Sequence, residues 1–103
     1  MRRYEITYVI DSQLTEEEIE MKIKKYEQFL QSRGAEIVTF DRWGLRRLAY
    51  DIKKRQQGYY VFLQYQADGR LIREFERELE LDEGILRYLT VALTSRLIKE
   101  QVA

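Results

Sequence analysis

The chain reads as an α+β domain whose elements follow the order β-α-β-β-α-β. Three observations predict this. Apolar, aromatic and β-branched residues concentrate in four stretches, around Tyr4–Ile10, Ile37–Ile52, Gly58–Ala67 and Ile85–Thr94. Two other stretches carry apolar residues at helical spacing, and each opens on a capping residue. A length of 103 residues supports one domain with a single core of two layers.

In the first strand Tyr4, Ile6, Tyr8 and Ile10 alternate with Arg3, Glu5, Thr7 and Val9, so one face is expected to be buried. Asp11-Ser12-Gln13 breaks the strand. Thr15 followed by Glu18 has the spacing of a capping box, Glu16 and Glu17 suit the positive end of a helix dipole, and Leu14 and Ile19 are spaced as a hydrophobic staple. Ile19, Ile23, Tyr26 and Leu30 form one stripe, and Gly34 is a C-terminal cap, which predicts a helix from about Thr15 to Arg33.

The second strand starts near Ala35 and continues through Trp43, Leu45, Leu48, Tyr50 and Ile52, well past the usual five or six residues. Gly44 marks a bulge or bend within it. Lys53 to Gln57 reads as a polar break, and Gly58 to Ala67 as a third strand with Tyr59, Val61, Leu63 and Tyr65 on one face and Tyr60, Phe62, Gln64 and Gln66 on the other. Together these predict a long hairpin whose tip projects beyond the helices. Asp68 caps a second helix in which Leu71, Phe75 and Leu79 face the core, and Asp82-Glu83-Gly84 ends it. In the last strand Ile85, Leu89, Val91 and Leu93 are expected to be buried, although Arg87 shares their parity. Residues 1–94 form the domain, and 95–103 are expected to be a flexible tail. This is the ferredoxin-like arrangement: a four-stranded antiparallel sheet with both helices on one face.

Composition excludes several chemistries. Without cysteine or histidine there is no disulfide, no thiolate or imidazole metal site and no histidine base, so neither metal nor cofactor is expected. No Gly-rich phosphate loop or nucleophile elbow occurs, the acidic residues sit on helix-forming segments as solvated faces, and asparagine is absent, so catalysis is not expected. The N-terminal run is too short and too polar for a signal peptide or membrane span, and the expected location is the cytoplasm. Net charge is zero but unevenly spread. Asp41 to Gly58 holds six basic residues against two acidic ones, while Asp68 to Glu83 holds seven acidic against three basic. The third strand superficially has the pattern of an RNA-recognition motif, but Tyr60 and Val61 break its register, and Glu5 on the exposed side of the first strand would repel phosphate.

Trp43, Leu45, Arg46, Arg47, Leu48 and Tyr50 place apolar, aromatic and cationic residues on one protruding hairpin, the composition of a partner-binding surface. The alternative is that the hairpin folds back over the open sheet face and buries itself.

The start Met1-Arg2-Arg3-Tyr4-Glu5, the segment Trp43 to Lys53 (WGLRRLAYDIK) and Gly58-Tyr59-Tyr60 resemble, in order and spacing, the S-six family of bacterial small-subunit ribosomal proteins. Asp51 stands where that family usually has proline. The resemblance implies a ferredoxin-like fold, no catalysis, and a structural role in the platform of the small subunit. It implies binding to small-subunit ribosomal RNA as a heterodimer with a second protein, S-eighteen, with the partner surface on the hairpin: Trp43, Leu45, Arg46, Arg47, Leu48 and Tyr50. Arg2, Arg3 and Arg87 are the candidates for RNA contact. Arg3 and Arg87 are expected to lie close together, because the first and last strands are neighbours in this fold, and Arg2 at the sheet edge. The isolated protein is expected to be a monomer. A reading from another class is a ferredoxin-like homo-oligomerisation or ligand-sensing module, in which the hairpin pairs with its own copy.

Two variants separate surface from core. Replacing Arg46 and Arg47 by alanine should change stability by no more than about 0.5 kcal/mol, whereas Leu79→Ala should cost roughly 2–5 kcal/mol. Urea denaturation of the two variants measures both; equal losses would make the hairpin arginines structural.

Overall fold

Six elements follow the expected order: β1 (Arg2–Asp11), α1 (Glu16–Ser32), β2 (Glu36–Ile52), β3 (Arg55–Ala67), α2 (Gly69–Leu81) and β4 (Ile85–Leu93). They come from a computed structural model that describes residues 2–93, so the expected tail lies outside the described residues. All strand pairings are antiparallel, and the sheet order is β2-β3-β1-β4.

Local chemistry accounts for the helix ends. Thr15 Oγ1 accepts from the Glu18 amide at 3.2 Å, and the Glu18 carboxylate accepts from the Thr15 amide at 3.2 Å, which closes the capping box. Leu14 packs against the core on the same side as Ile19, as a staple requires. Gly34 has φ +88°, a left-handed conformation that glycine enters without a Cβ penalty, and it turns the chain into β2. The Asp68 carboxylate accepts from the Leu71 amide at 2.9 Å and caps α2.

The helices bury Ile19, Ile23, Tyr26 and Leu30 of α1 and Leu71, Ile72, Phe75 and Leu79 of α2. Opposite them lie Tyr4, Ile6, Tyr8 and Ile10 of β1 and Val61, Leu63 and Tyr65 of β3. Phe75 is the hub, with its ring centroid 5.9 Å from Tyr26, 5.9 Å from Phe29 and 6.1 Å from Tyr65. Burial pushes the Tyr8 hydroxyl far above its ordinary pKa, so it remains a neutral part of the core.

Three sequence expectations need correction. Leu89 and Val91 are exposed rather than buried. A register shift at Val9/Ile10 sets Ile10 opposite Ile85 but Val9 opposite Arg87, leaving Leu86 as the extra residue. Tyr88 therefore turns toward the helices, while Leu86 packs with Val9 on the open face. The polar break is also shorter than Lys53–Gln57. Ile52 pairs with Arg55, so only Lys53 and Lys54 form the turn, and Arg55–Gln57 already belong to β3. Finally, the hairpin does not project from the sheet. It curls over the open face, and Leu48 packs on Val9 and Leu86.

Asp82 fastens α1 to the turn before β4. It accepts from Lys22 Nζ at 2.8 and 2.9 Å, from the Gly84 amide at 2.8 Å, and from the Tyr26 hydroxyl. Burial alone would raise its pKa, but these donors, Lys22 foremost, outweigh it and hold the carboxyl below its ordinary value. A depressed folded-state pKa gives stability that is present above the unfolded value of about 3.9 and is lost as pH falls through the folded value. Asp82→Asn should therefore cost about 1–3 kcal/mol at neutral pH, and the gap from the parent should close in acid. Urea titrations between neutral pH and the acid range measure it; a gap independent of pH would show that the charge is immaterial.

Candidate nucleic-acid and partner interface

The pairing of β2 with β3 shifts register at three irregularities, between Ile37 and Thr39, between Arg42 and Gly44, and between Arg47 and Ile52. At the second of these Gly44 has φ +78° and pairs with Tyr60, leaving Trp43 as the extra residue, so the expected bulge is present. The bulge lays the Trp43 indole over the open face. Its ring centroid is 5.4 Å from Phe62, nearly parallel at 4°, and 6.4 Å from Tyr60. Tyr60 and Phe62 are thus covered by a residue of the neighbouring strand, while Trp43 itself stays 42% exposed.

Beyond Trp43 the hairpin is held by a second, small apolar cluster of Val9, Leu48 and Leu86, joined by Ile52 and Tyr60. Gly58 leaves room for the Val9 side chain of this cluster, because a Cβ there would stand 2.2 Å from Val9 Cγ1. Two polar contacts flank the cluster. Arg87 donates to the Tyr50 hydroxyl at 2.8 Å, with its guanidinium 5.8 Å from the Tyr50 ring centre. Arg55 Nε donates to Asp11 at 2.9 Å. Burial works against the Asp11 carboxylate, but Arg55 and the Gln13 amide overcome it and keep its pKa below the ordinary value.

These contacts sort the six cations of the basic segment. Arg42 is held by Glu20 and by the Tyr59 hydroxyl, and Arg55 by Asp11. Arg46, Arg47, Lys53 and Lys54 are exposed, and none of them forms an ion pair with a carboxylate among the described residues. The segment is therefore cationic at its surface while the paired residues secure its base.

Of the hairpin residues predicted for partner contact, Trp43, Leu45 and Tyr50 are exposed and Leu48 is buried inside the chain. They also divide between two faces. Trp43 lies on the open face, whereas Leu45 lines an apolar cleft of about 730 Å³ with Leu14, Ile19, Met21 and Tyr59, rimmed by Glu16, Glu17 and Glu20. Of the residues predicted for RNA, Arg2 is exposed at the start of β1, a central strand and not the sheet edge. Arg3 pairs with Leu93 while Arg87 pairs with Val9, so the two arginines lie about 20 Å apart along the sheet at the usual strand rise. They are not neighbours, because antiparallel pairing sets the beginning of β1 against the end of β4. Arg3 Nε is buried without a hydrogen-bond partner among the described residues.

Val9 and Leu86 escaped the sequence reading as site residues. Their one signal is that Val9 is the aliphatic residue among the polar partners of β1, and that Leu86 follows Ile85 with no alternation. Among the described residues no cluster of acidic side chains is arranged to hold a metal ion, and no helix is long and apolar enough to cross a membrane.

The model of the family described as Ribosomal protein S6 matches residues 3–92. A small ribosomal subunit protein bS6 from Christiangramia forsetii is 42% identical over 98 residues, covering 95% of this chain and 88% of that protein. The bS6 of Caldanaerobacter subterraneus is 42% identical over 91 residues, covering 88% of this chain and 96% of its own. The crystal structure of 30S ribosomal protein S6 from Thermotoga maritima superposes with a TM-score of 0.88 at 28% identity, covering 98% of this chain and 95% of that one.

The fit of Gly58 against Val9 is directly testable. Gly58→Ala should destabilise the protein by about 1–3 kcal/mol through overpacking and, by displacing Val9, loosen the cluster that holds the hairpin. Trp43 is the single tryptophan, so its emission should shift to longer wavelength as its stack on Phe62 opens. Unchanged emission with unchanged stability would show that the clasp does not position the hairpin.

Proposed function

The chain belongs to the ribosomal protein S6 family and is a structural protein of the small ribosomal subunit in the cytoplasm, not an enzyme; within that subunit we propose that it binds ribosomal RNA cooperatively with S-eighteen as a heterodimer. The observation that carries this reading is the hairpin: exposed Trp43, Leu45 and Tyr50 beside Arg46 and Arg47, which form no ion pair among the described residues, on a segment anchored to the sheet before any partner arrives. Aromatic and arginine side chains on a pre-ordered surface contribute most to binding because little conformational entropy is lost on docking. Leu48 supports the Trp43 side of the hairpin from beneath.

Arg2, Arg3 and Arg87 are proposed for RNA contact, through phosphates and shape with little reading of bases. Counterion release grows with the number of phosphates contacted, and with few such contacts of its own the protein binds RNA weakly. Docking a basic partner adds positive charge and extends the surface, which couples the two binding events. Homo-oligomerisation through the hairpin is the competing outcome.

Titration calorimetry of a platform RNA fragment with the protein alone, with S-eighteen alone and with both, at two salt concentrations, measures the coupling. Tight, salt-sensitive binding is expected only with both proteins, and replacing Arg46 and Arg47 by alanine should weaken the heterodimer at least tenfold. Equal RNA affinity with and without the partner would sink the cooperative reading, and a stable homodimer in sedimentation would favour the module.

A further inference from the structure

We infer that Lys53 and Lys54, together with Arg87, form a phosphate-binding patch that grips the RNA backbone at the end of the molecule remote from Arg2 and Arg3. This rests on the RNA-binding reading above and adds residues and a location to it.

Three observations converge. The first is the turn itself. Ile52 pairs with Arg55, and Lys53 and Lys54 have φ +50° and +64°, so the connection is a two-residue turn of type I′. Asn-Gly suits such a turn, whereas lysine bears a Cβ penalty at positive φ. Two consecutive lysines give up stability here, and backbone strain of this kind persists where the side chains serve a function.

The second is the state of the cations. Lys53 and Lys54 are exposed and form no ion pair among the described residues, although Arg55, the next residue, is paired with Asp11. Arg55 Nη1 also reaches the Lys53 carbonyl at 3.4 Å, so the turn is braced while its ammonium groups remain in solvent.

The third is placement. Arg87 lies opposite Val9, near the end of β1, and is tied to the hairpin through the Tyr50 hydroxyl at 2.8 Å. The curl of the hairpin therefore carries Lys53 and Lys54 toward the same end of the sheet as Arg87. Arg2 and Arg3 sit at the other end, so the candidates form two basic points about 20 Å apart, a span that favours an extended, repeating anion over a single small one.

The test uses the full-length protein with S-eighteen and a small-subunit platform RNA fragment, comparing the parent with Lys53→Asn/Lys54→Gly and with Lys53→Gln/Lys54→Gln. The Asn-Gly variant should melt several degrees higher, since the turn strain is relieved. Both variants should bind RNA about tenfold more weakly at 0.1 M salt, with the log–log salt slope shallower by about 1.5. Affinity for S-eighteen in the absence of RNA should be unchanged. Parent-like RNA affinity and slope in both variants would overturn the patch while leaving the cooperative function standing. Loss of S-eighteen binding in place of RNA binding would also overturn it and assign the turn to the protein partner. Failure of the parent pair to bind the RNA would overturn the proposed function and the patch with it.

Discussion

The small apolar cluster of Val9, Leu48 and Leu86 ties the hairpin to the sheet, and Gly58 leaves room for its Val9 side chain. Gly58 lies in β3 opposite Asp11, and a methyl group there would meet Val9 Cγ1 at 2.2 Å. A side chain at position 58 would displace Val9, the β1 residue on which Leu48 of β2 and Leu86 close. That small apolar clasp is distinct from the main core on the opposite face, and it turns an overlong edge hairpin into a fixed surface. Burial of three aliphatic side chains offsets the entropy of ordering the tip.

Several features follow from this constraint. Trp43 lies flat on Phe62 because the Gly44 bulge and the curl of the strand bring it over the open face. Tyr50 reaches Arg87 across the two strands that lie between β2 and β4. The ion pair of Arg55 with Asp11 locks the base of the tip to the end of β1. A binding surface that is ordered before its partner arrives loses less entropy on docking than one that orders afterwards. The structure thereby joins the packing of three small residues to the economy of an interface.

Charge is distributed by the same logic. The partly buried cations are neutralised locally, Lys22 by Asp82 and Arg55 by Asp11. Those on the hairpin surface are left in solvent, where they serve encounter and contact with an anion. A net charge of zero thus describes neither end of the molecule, since the acidic face of α2 and the cationic hairpin are separate surfaces.

The sequence by itself determined the element order, both helix caps, the helix-facing core and the Gly44 bulge. All of these depend on short-range rules: a Thr15–Glu18 box, apolar residues at period two or near 3.6, and glycine at positive φ. The family resemblance was likewise legible, because the Trp43–Lys53 segment is contiguous. Tertiary structure alone decided the rest. A bulge at Leu86 reversed the facing of Leu89 and Val91, and its only trace in the sequence is the adjacent pair Ile85-Leu86, which does not say on which side of the pair the alternation resumes. The return of the hairpin depended on a contact between Leu48 and Val9, residues far apart in sequence and matched only by shape. Antiparallel pairing separated Arg3 from Arg87 and brought Arg87 to Tyr50. Local propensity specifies which elements form, but the register between strands and the fit of one side chain over a glycine specify which residues share a surface.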